Sequence, residues 1–407
     1  MKQFEIPSYY RSPIISKVKS KRKLQDPRKK DFTPTRLTLG SIEFLIARHF
    51  GFCYGVENAI EISYKAIQAN PDKKIYLLSQ MIHNPGVNED LQSYGITFIQ
   101  DTKGKQLIPW EEIHAEDVVI IPAFGTTVEI ENKLKEIGVD VHAYNTTCPF
   151  VEKVWNRSEK LGTDEHTIIV HGKHDHEETR ATFSHSAKSA PTLVVKNLAE
   201  AHLLEAYILG KSSDEAILKA FEGKYTVGFN PSLHLQKIGV VNQTTMLASE
   251  TQEITDLLRQ AMITRYGEND IKNHIADTRD TLCYATNDNQ SATYGLMEHD
   301  ADFAIVVGGY NSSNTTHLVE LLEQKFSCYF IQSEEAILSK ESIISYDIHE
   351  KKEKTIQDYF PQNKEKIKII LTSGASCPDS VVDAVIQKLI RINNIEVDIE
   401  KAIELIQ

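Results

Sequence analysis

From residue 42 onward one pattern recurs along the chain. A short apolar run rich in β-branched residues is followed by a cluster of Gly, Ser, Thr or Asn, and then by a stretch with helical spacing. The runs are FLIARHF, KKIYLLS, DVVIIPAFG, HTIIVHG, KIGVVNQ, DFAIVVGG and KIKIILTSG, each ahead of a helical stretch. Such runs predict α/β units with short strands in mainly parallel sheets. Residues 198–236 leave the rhythm: AEAHLLEAYIL and DEAILKAFEG read as two short helices decorating the middle domain. The first 36 residues carry eleven Lys or Arg against Glu5, Asp26 and Asp31, with Pro7, Pro13, Pro27 and Pro34 set to interrupt any helix. This predicts a flexible basic arm over 1–41, a solvated tail able to touch RNA or an acidic partner.

Three cysteines occupy equivalent places in the pattern. Cys53, in ARHFGFCYGVENAIEI, lies after a strand and just before a helix, and Cys283, in DTRDTLCYATNDNQSATYGLM, opens another. Cys148, in YNTTCPFVEKVWNRSEKL, follows the short run VDVHAY and precedes Pro149, which suits a first helical turn. Helix N-termini favour thiolate, the form that binds iron or zinc. The intervals are 95 and 135 residues, nearly equal once the insertion is set aside. One cysteine per lobe follows, with lobes at 42–144, 145–280 and 281–395, a tail at 396–407, and a pseudo-threefold arrangement of three similar lobes. Three protein ligands leave one metal position open, and an open iron can act as a Lewis acid on a substrate oxygen. A zinc ion held by three cysteines and a histidine is the direct competitor, and burial as a core side chain the bland one. Spacing does not separate them. Cys328, in FSCYF, reads as core.

The remaining polar chemistry gathers where strands end, the edge at which open α/β sheets bind ligands. MIHNPGVNEDL places His83 there, HGKHDHEETRAT places His176 and Glu178, and VVNQTTML places Thr244 and Thr245. GGYNSSNTTHLVELL adds Ser312, Ser313 and Asn314, and TSGASCPDSVV adds Ser376. Each cluster alone reads as a helix cap. Several together make an anion cradle suited to a diphosphate. Glu178 is the acid candidate, since burial would raise its pKa toward neutrality and let it carry a proton.

Composition narrows the classes. The 407 residues, 41% hydrophobic, suffice for two or three domains. A net charge of −12 argues against a generic nucleic-acid surface, so none is expected for the core. No run approaches a bilayer span and no secretory core is present, which predicts a soluble, cytoplasmic protein with no membrane partner. Five cysteines make a poor disulfide framework. Neither GxGxxG after the first strand nor GxxxxGK[ST] occurs, so electrons would come from another protein or from a cluster.

Taken together, GFCYGVENAI, IHNPGV, NTTCPFVEKV, HGKHDHEET, NQTTML, DTLCYATNDNQ, NSSNTTHL and TSGASCPD resemble, in family order over about residues 42–395, the 4-hydroxy-3-methylbut-2-enyl diphosphate reductase (LytB) family. The resemblance implies three α/β lobes in a trefoil around a central [4Fe–4S] cluster ligated by Cys53, Cys148 and Cys283, with one open iron. It implies His83, His176, Ser312, Ser313, Asn314 and Ser376 as diphosphate contacts, Glu178 as proton-relay acid, and Thr244, with Thr245 beside it, on the substrate alcohol. It further implies two electrons arriving singly from a ferredoxin or flavodoxin-type donor, loss of water, and the products isopentenyl and dimethylallyl diphosphate. One departure stands out: PAFGTT carries Phe124 where many members place a phosphate-binding histidine, so that contact would pass to Thr126, Thr127 or backbone N–H groups. Two readings of other classes use the same cysteines: a non-catalytic iron–sulfur redox sensor, and a zinc-dependent hydrolase of a phosphorylated small molecule.

Overall fold

Each of the seven apolar runs forms a strand, and each strand is followed by a helix. In the computed structural model, which describes residues 4–277, 281–362 and 364–406, the chain opens with α1 (Pro13–Gln25), β1 (Thr35–Leu39) and β2 (Ile42–Ile46). Next come α2 (Tyr54–Ala69), β3 (Ile75–Leu77), α3 (Pro85–Ser93), β4 (Thr97–Phe98), β5 (Val118–Ile120), α4 (Val128–Ile137) and α5 (Pro149–Thr163). The middle of the chain holds β6 (Thr167–His171), α6 (Glu177–Ala187), β7 (Thr192–Val195), α7 (Leu198–Ile208), α8 (Asp214–Ala220), α9 (Pro231–His234), β8 (Ile238–Asn242) and α10 (Ala248–Tyr266). It ends with α11 (Tyr284–Met297), β9 (Phe303–Val307), α12 (Ser313–Leu322), β10 (Cys328–Ile331), β11 (Ser342–Asp347), β12 (Lys352–Gln357), β13 (Ile367–Ser373), α13 (Asp379–Ile392) and α14 (Ile399–Glu404). Among the described residues no helix is long and apolar enough to cross a membrane.

The chain divides into two compact units. The first comprises residues 1–57, 83–86 and 284–407. Its sheet has the order β1-β2-β13-β9-β10, parallel except for the β1–β2 pair, with β11 and β12 as a separate antiparallel hairpin. This corrects the expected lobe boundary. β2, assigned to a lobe over 42–144, pairs in parallel with β13 of the last lobe, Ile42 opposite Ile367. The reason is burial: Ile42, Phe44 and Ile46 are fully enclosed, and such a strand needs partners on both edges, here β1 and β13.

The arm is also corrected, because it is folded. Ser12 accepts the Ile15 N–H at 3.0 Å and donates its hydroxyl to Asp383 of α13 at 2.8 Å. Pro13 occupies the first helical turn, where its missing N–H costs nothing, so the proline starts the helix instead of interrupting one. Ile15 and Val18 then bury in the unit's core. The tail joins that core too, through Ile403 and Ile406. Cys328 packs against the same core, half-buried.

The second unit, residues 58–82 and 87–283, holds two three-stranded parallel sheets, β4-β3-β5 and β7-β6-β8. The insertion forms the two helices read from its sequence and a third, α9. It is more than decoration. Leu204, Ile208, Ile217 and Phe221 are buried with Ile169 and Leu193 of the sheet, completing one face of it.

Candidate functional site

The three cysteines share one local geometry. The Cys53 N–H donates to the Ala375 carbonyl at 3.3 Å, just past β13. Cys148 donates to Ala123 at 3.0 Å, past β5, and Cys283 to Thr244 at 3.3 Å, past β8. Each cysteine is thus tied to the carboxyl end of a strand and immediately precedes a helix: α2, α5 or α11. Residues 139–144 form no strand ahead of Cys148. A single parallel bridge, Ile121 with Asn145, guides the chain instead, and the Thr146 hydroxyl fixes it by donating to the Ile121 carbonyl at 2.6 Å.

In the second unit the chemistry converges on Glu178. β6 and β8 are adjacent, His171 opposite Asn242, so the residues following them meet. Glu178 sits in the first turn of α6, 1% exposed, and its Oε1 accepts the Thr244 N–H. Burial pushes its carboxyl up to about 7 against the opposing bonds from Thr244. A carboxylic acid that holds its proton near neutrality is suited to proton transfer. Cys148, Cys283 and Glu178 are close enough to interact electrostatically, and Cys283 hangs from the Thr244 carbonyl, so the acid, Thr244 and two thiols form one cluster.

Residues that sequence reasoning passed over hold this cluster in place. Asn242 and Thr281 bond reciprocally: the Asn242 N–H donates to the Thr281 hydroxyl at 3.1 Å, and the Thr281 N–H to Asn242 Oδ1 at 3.3 Å. They pin the loop that carries Cys283. Gln243, fully buried, donates to the Thr245 hydroxyl at 2.8 Å and accepts from Thr179 at 2.9 Å and from the Lys173 N–H at 3.1 Å. The signal for Asn242 and Gln243 was the polar run NQTT at the end of a fully buried strand; nothing local marked Thr281.

His176 caps α6. Its Nδ1 accepts the Glu178 N–H at 3.2 Å, so the neutral ring carries its proton on Nε2, the polarity a phosphate contact needs. Phe124 lies edge-on to this ring, centroids 5.7 Å apart. Thr127 is spent as the cap of α4, accepting the Ile130 N–H at 3.4 Å, and the Thr126 carbonyl accepts from His185 at 3.1 Å. Thr127 thus caps α4, the Thr126 carbonyl holds His185, and Phe124 packs against His176.

The first unit holds the rest of the anticipated phosphate contacts. Ser312, Ser313 and Asn314 start α12 after β9, and Ser376 follows β13, the neighbouring strand. The Ser376 hydroxyl donates to the His83 carbonyl at 3.2 Å, and Asn311 bonds the His83 ring at 3.0 Å. Asn314 Oδ1 accepts the Ala375 N–H at 3.0 Å and the Asn289 amide at 3.2 Å, while its buried Nδ2 has no partner among the described residues. A Cβ on Gly374 would stand 2.0 Å from the Thr315 hydroxyl, and one on Gly309 2.3 Å from the His83 carbonyl, so only glycine allows this cradle to close. His83, Ser312, Ser313, Asn314 and Ser376 are all buried.

The donor set suits a soft metal centre, though not by the route expected. Cys148 is not a preformed thiolate: burial outweighs the N–H groups of its helix start, and the thiol is pushed up to about 11, with Cys283 and Glu178 adding to the rise. Coordination reverses that sign, since a bound cation deprotonates a thiol. Thiolate donors favour iron–sulfur clusters or zinc. Among the described residues no three His, Cys, Asp or Glu side chains stand close enough together to hold a metal ion. Cys148 and Cys283 lie in the second unit and Cys53 in the first.

Comparison with known proteins supplies the remaining context. The sequence profile described as LytB protein matches residues 44–390. A 4-hydroxy-3-methylbut-2-enyl diphosphate reductase of Prochlorococcus marinus subsp. pastoris is 40% identical over 356 residues, covering 87% of this chain and 86% of the relative. The enzyme of the same name from Prochlorococcus marinus strain AS9601 is 38% identical over 384 residues, 94% of this chain and 91% of its own. Among solved structures, the E-1-hydroxy-2-methyl-but-2-enyl-4-diphosphate reductase of Plasmodium falciparum has the same fold, with a TM-score of 0.59 at 20% identity over 87% of this chain and 89% of that one.

Proposed function

The chain belongs to the LytB family, and from that membership we propose its function: it reductively removes the hydroxyl group of 4-hydroxy-3-methylbut-2-enyl diphosphate, releasing isopentenyl and dimethylallyl diphosphate at the end of the non-mevalonate pathway. The comparisons do not favour the sensor or zinc-hydrolase readings. The observation that carries the chemistry is Glu178, a fully buried acid poised near neutrality against Thr244 and beside two of the three cysteines.

Cys53, Cys148 and Cys283 would hold a [4Fe–4S] cluster, which supplies electrons one at a time and a Lewis-acidic iron for the substrate's hydroxyl oxygen. The chain's own groups bind, orient and protonate. His176 offers an Nε2 proton to the diphosphate, and His83, Ser312, Ser313, Asn314 and Ser376 supply further donors. Thr244 holds the substrate alcohol with Thr245 beside it, and Gln243 fixes Thr245. Glu178 carries the proton that lets the hydroxyl leave as water, and its N–H bond to His176 ties the acid to the phosphate grip. Ferredoxin or flavodoxin is the class of donor that suits single-electron delivery. Five free cysteines suit a cytoplasmic setting, where thiols stay reduced.

Anaerobic purification followed by iron and acid-labile sulfide analysis tests the reading, together with product analysis after reduction by a chemical donor. Iron and sulfide in equal amounts and both isoprenoid diphosphates are expected. Zinc without sulfide, or a loaded protein that leaves the substrate untouched, would overturn it.

A further inference from the structure

The basic arm takes no part in the chemistry described so far, yet it builds a pocket beside one of the proposed cluster ligands. α1 contributes Lys19 and Lys23, the turn after it Lys29, and the segment following β2 Arg48 and His49, to a cavity of about 280 Å³ that reaches Cys53. Four cations face one acid, Asp288. Lys19 is paired with Asp379 at 2.7 Å and Arg48 with Asp26 at 3.5 Å. Lys23 and Lys29 form no ion pair among the described residues. Arg48 is 7% exposed, and its Nε, like Nε2 of His49, is buried with no hydrogen-bond partner among the described residues. Burial first, then the charges of Arg48 and Lys29, hold His49 down at about 4, so its ring adds no charge at neutral pH beside these cations, within a chain of net charge −12.

We propose that this arm-built basic pocket is the docking surface for an acidic one-electron carrier protein, which delivers its electrons at Cys53. The proposal rests on the function above and adds the place where its partner binds. Electron transfer weakens steeply with distance, so a carrier must reach a ligand of the centre, and Cys53 lines this pocket. An acidic carrier is repelled by the molecule as a whole and steered to its positive patch. Lys19 and Lys23 stand one helical turn apart, with Lys23 exposed, so the charge spreads along a face instead of closing on one small anion. Two carriers each lose one electron per turnover; the substrate takes up both electrons and two protons, its C–O bond breaks, and the oxygen leaves as water.

The test compares two reductants on the full-length, anaerobically loaded protein: an acidic plant-type [2Fe–2S] ferredoxin, and reduced methyl viologen, a small cation that needs no basic surface. In the double variant Lys23→Glu, Lys29→Glu, affinity for oxidised ferredoxin, read by calorimetry, should weaken about tenfold or more, and the KM for reduced ferredoxin should rise in step with a shallower salt dependence. Viologen-driven turnover should hold, and Lys23→Arg, Lys29→Arg should retain ferredoxin binding. Unchanged ferredoxin affinity in the charge-reversed variant overturns the proposal, as does equal loss with both reductants. So does unchanged ferredoxin kinetics with lost binding of inorganic diphosphate or of a single-stranded RNA, either of which would assign the pocket to that ligand. A wild-type protein that binds ferredoxin but converts no substrate with viologen would instead sink the proposed function.

Discussion

At the scale of single residues, Glu178 shows how environment lets an ordinary carboxyl keep its proton near neutrality. Its ordinary pKa would leave it ionised, but complete burial outweighs the two Thr244 bonds and raises it to about 7. Glu178→Gln keeps the shape and the bond from the Thr244 N–H while removing the proton. We expect kcat to fall by about 100-fold or more with iron and sulfide content unchanged. In the wild type, activity should decline as pH rises through about 7, because the protonated form is the donor and is lost above its pKa. Full turnover in the glutamine variant would remove Glu178 from the chemistry. The motif HGKHDHEET pointed to Glu178 as a carboxyl that burial would raise, and its burial and raised pKa agree. What Phe124 does was not legible, because an aromatic ring in a loop carries no sign of what it packs against until the fold brings His176 to its edge.

At the scale of elements, periodicity identified the seven strands that arise from its apolar runs and the helices after them, since a fully buried parallel strand leaves an unbroken apolar run; it gave no sign of β1, β4, β7, β10, β11 or β12. It failed on α1. Read as sequence, four prolines and eleven cations look like a chain that cannot bury enough surface to fold. Only two residues of the helix's apolar side, Ile15 and Val18, are fully enclosed, and they fold because α13 offers a partner from more than 360 residues away, with Asp383 capturing the Ser12 hydroxyl. Tertiary packing overrode a weak local signal. Ile15→Ala should therefore cost about 2–5 kcal/mol of unfolding free energy, measured by urea denaturation, a magnitude typical of a large core side chain. A loss no larger than that of an exposed substitution such as Leu24→Ala would return the arm to a solvated tail.

At the scale of the whole molecule, the sequence pattern conveyed mainly parallel sheets but not how the chain is divided among them. β2 begins the first apolar repeat and yet pairs with β13, which no local pattern reveals, because strand pairing is set by which edges remain open after the chain has folded. The same whole-molecule view governs pH stability. Glu177 and Glu178 are raised, to about 8 and about 7, mainly by burial, so between about 4.5 and those values the folded protein binds more protons than the unfolded chain. Their contribution is fully present below the unfolded pKa and is lost as pH rises through the folded one. His49, lowered to about 4 by burial first, and His166, His185 and His234, lowered likewise, act in the opposite sense. They bind more protons when unfolded, so their contribution is complete above about 6.5 and fades toward acid. The two sets oppose each other between about 4.5 and 6.5, and above that only the glutamates still titrate. Unfolding free energy of the metal-free protein should then fall between pH 6.5 and 8. Glu177→Gln, which leaves the proposed site residues untouched, should flatten that decline when chemical denaturation is repeated across the range. A variant whose curve parallels the wild type would show that Glu177 is ionised in the folded state, with Arg180 or solvent supplying the charge it needs.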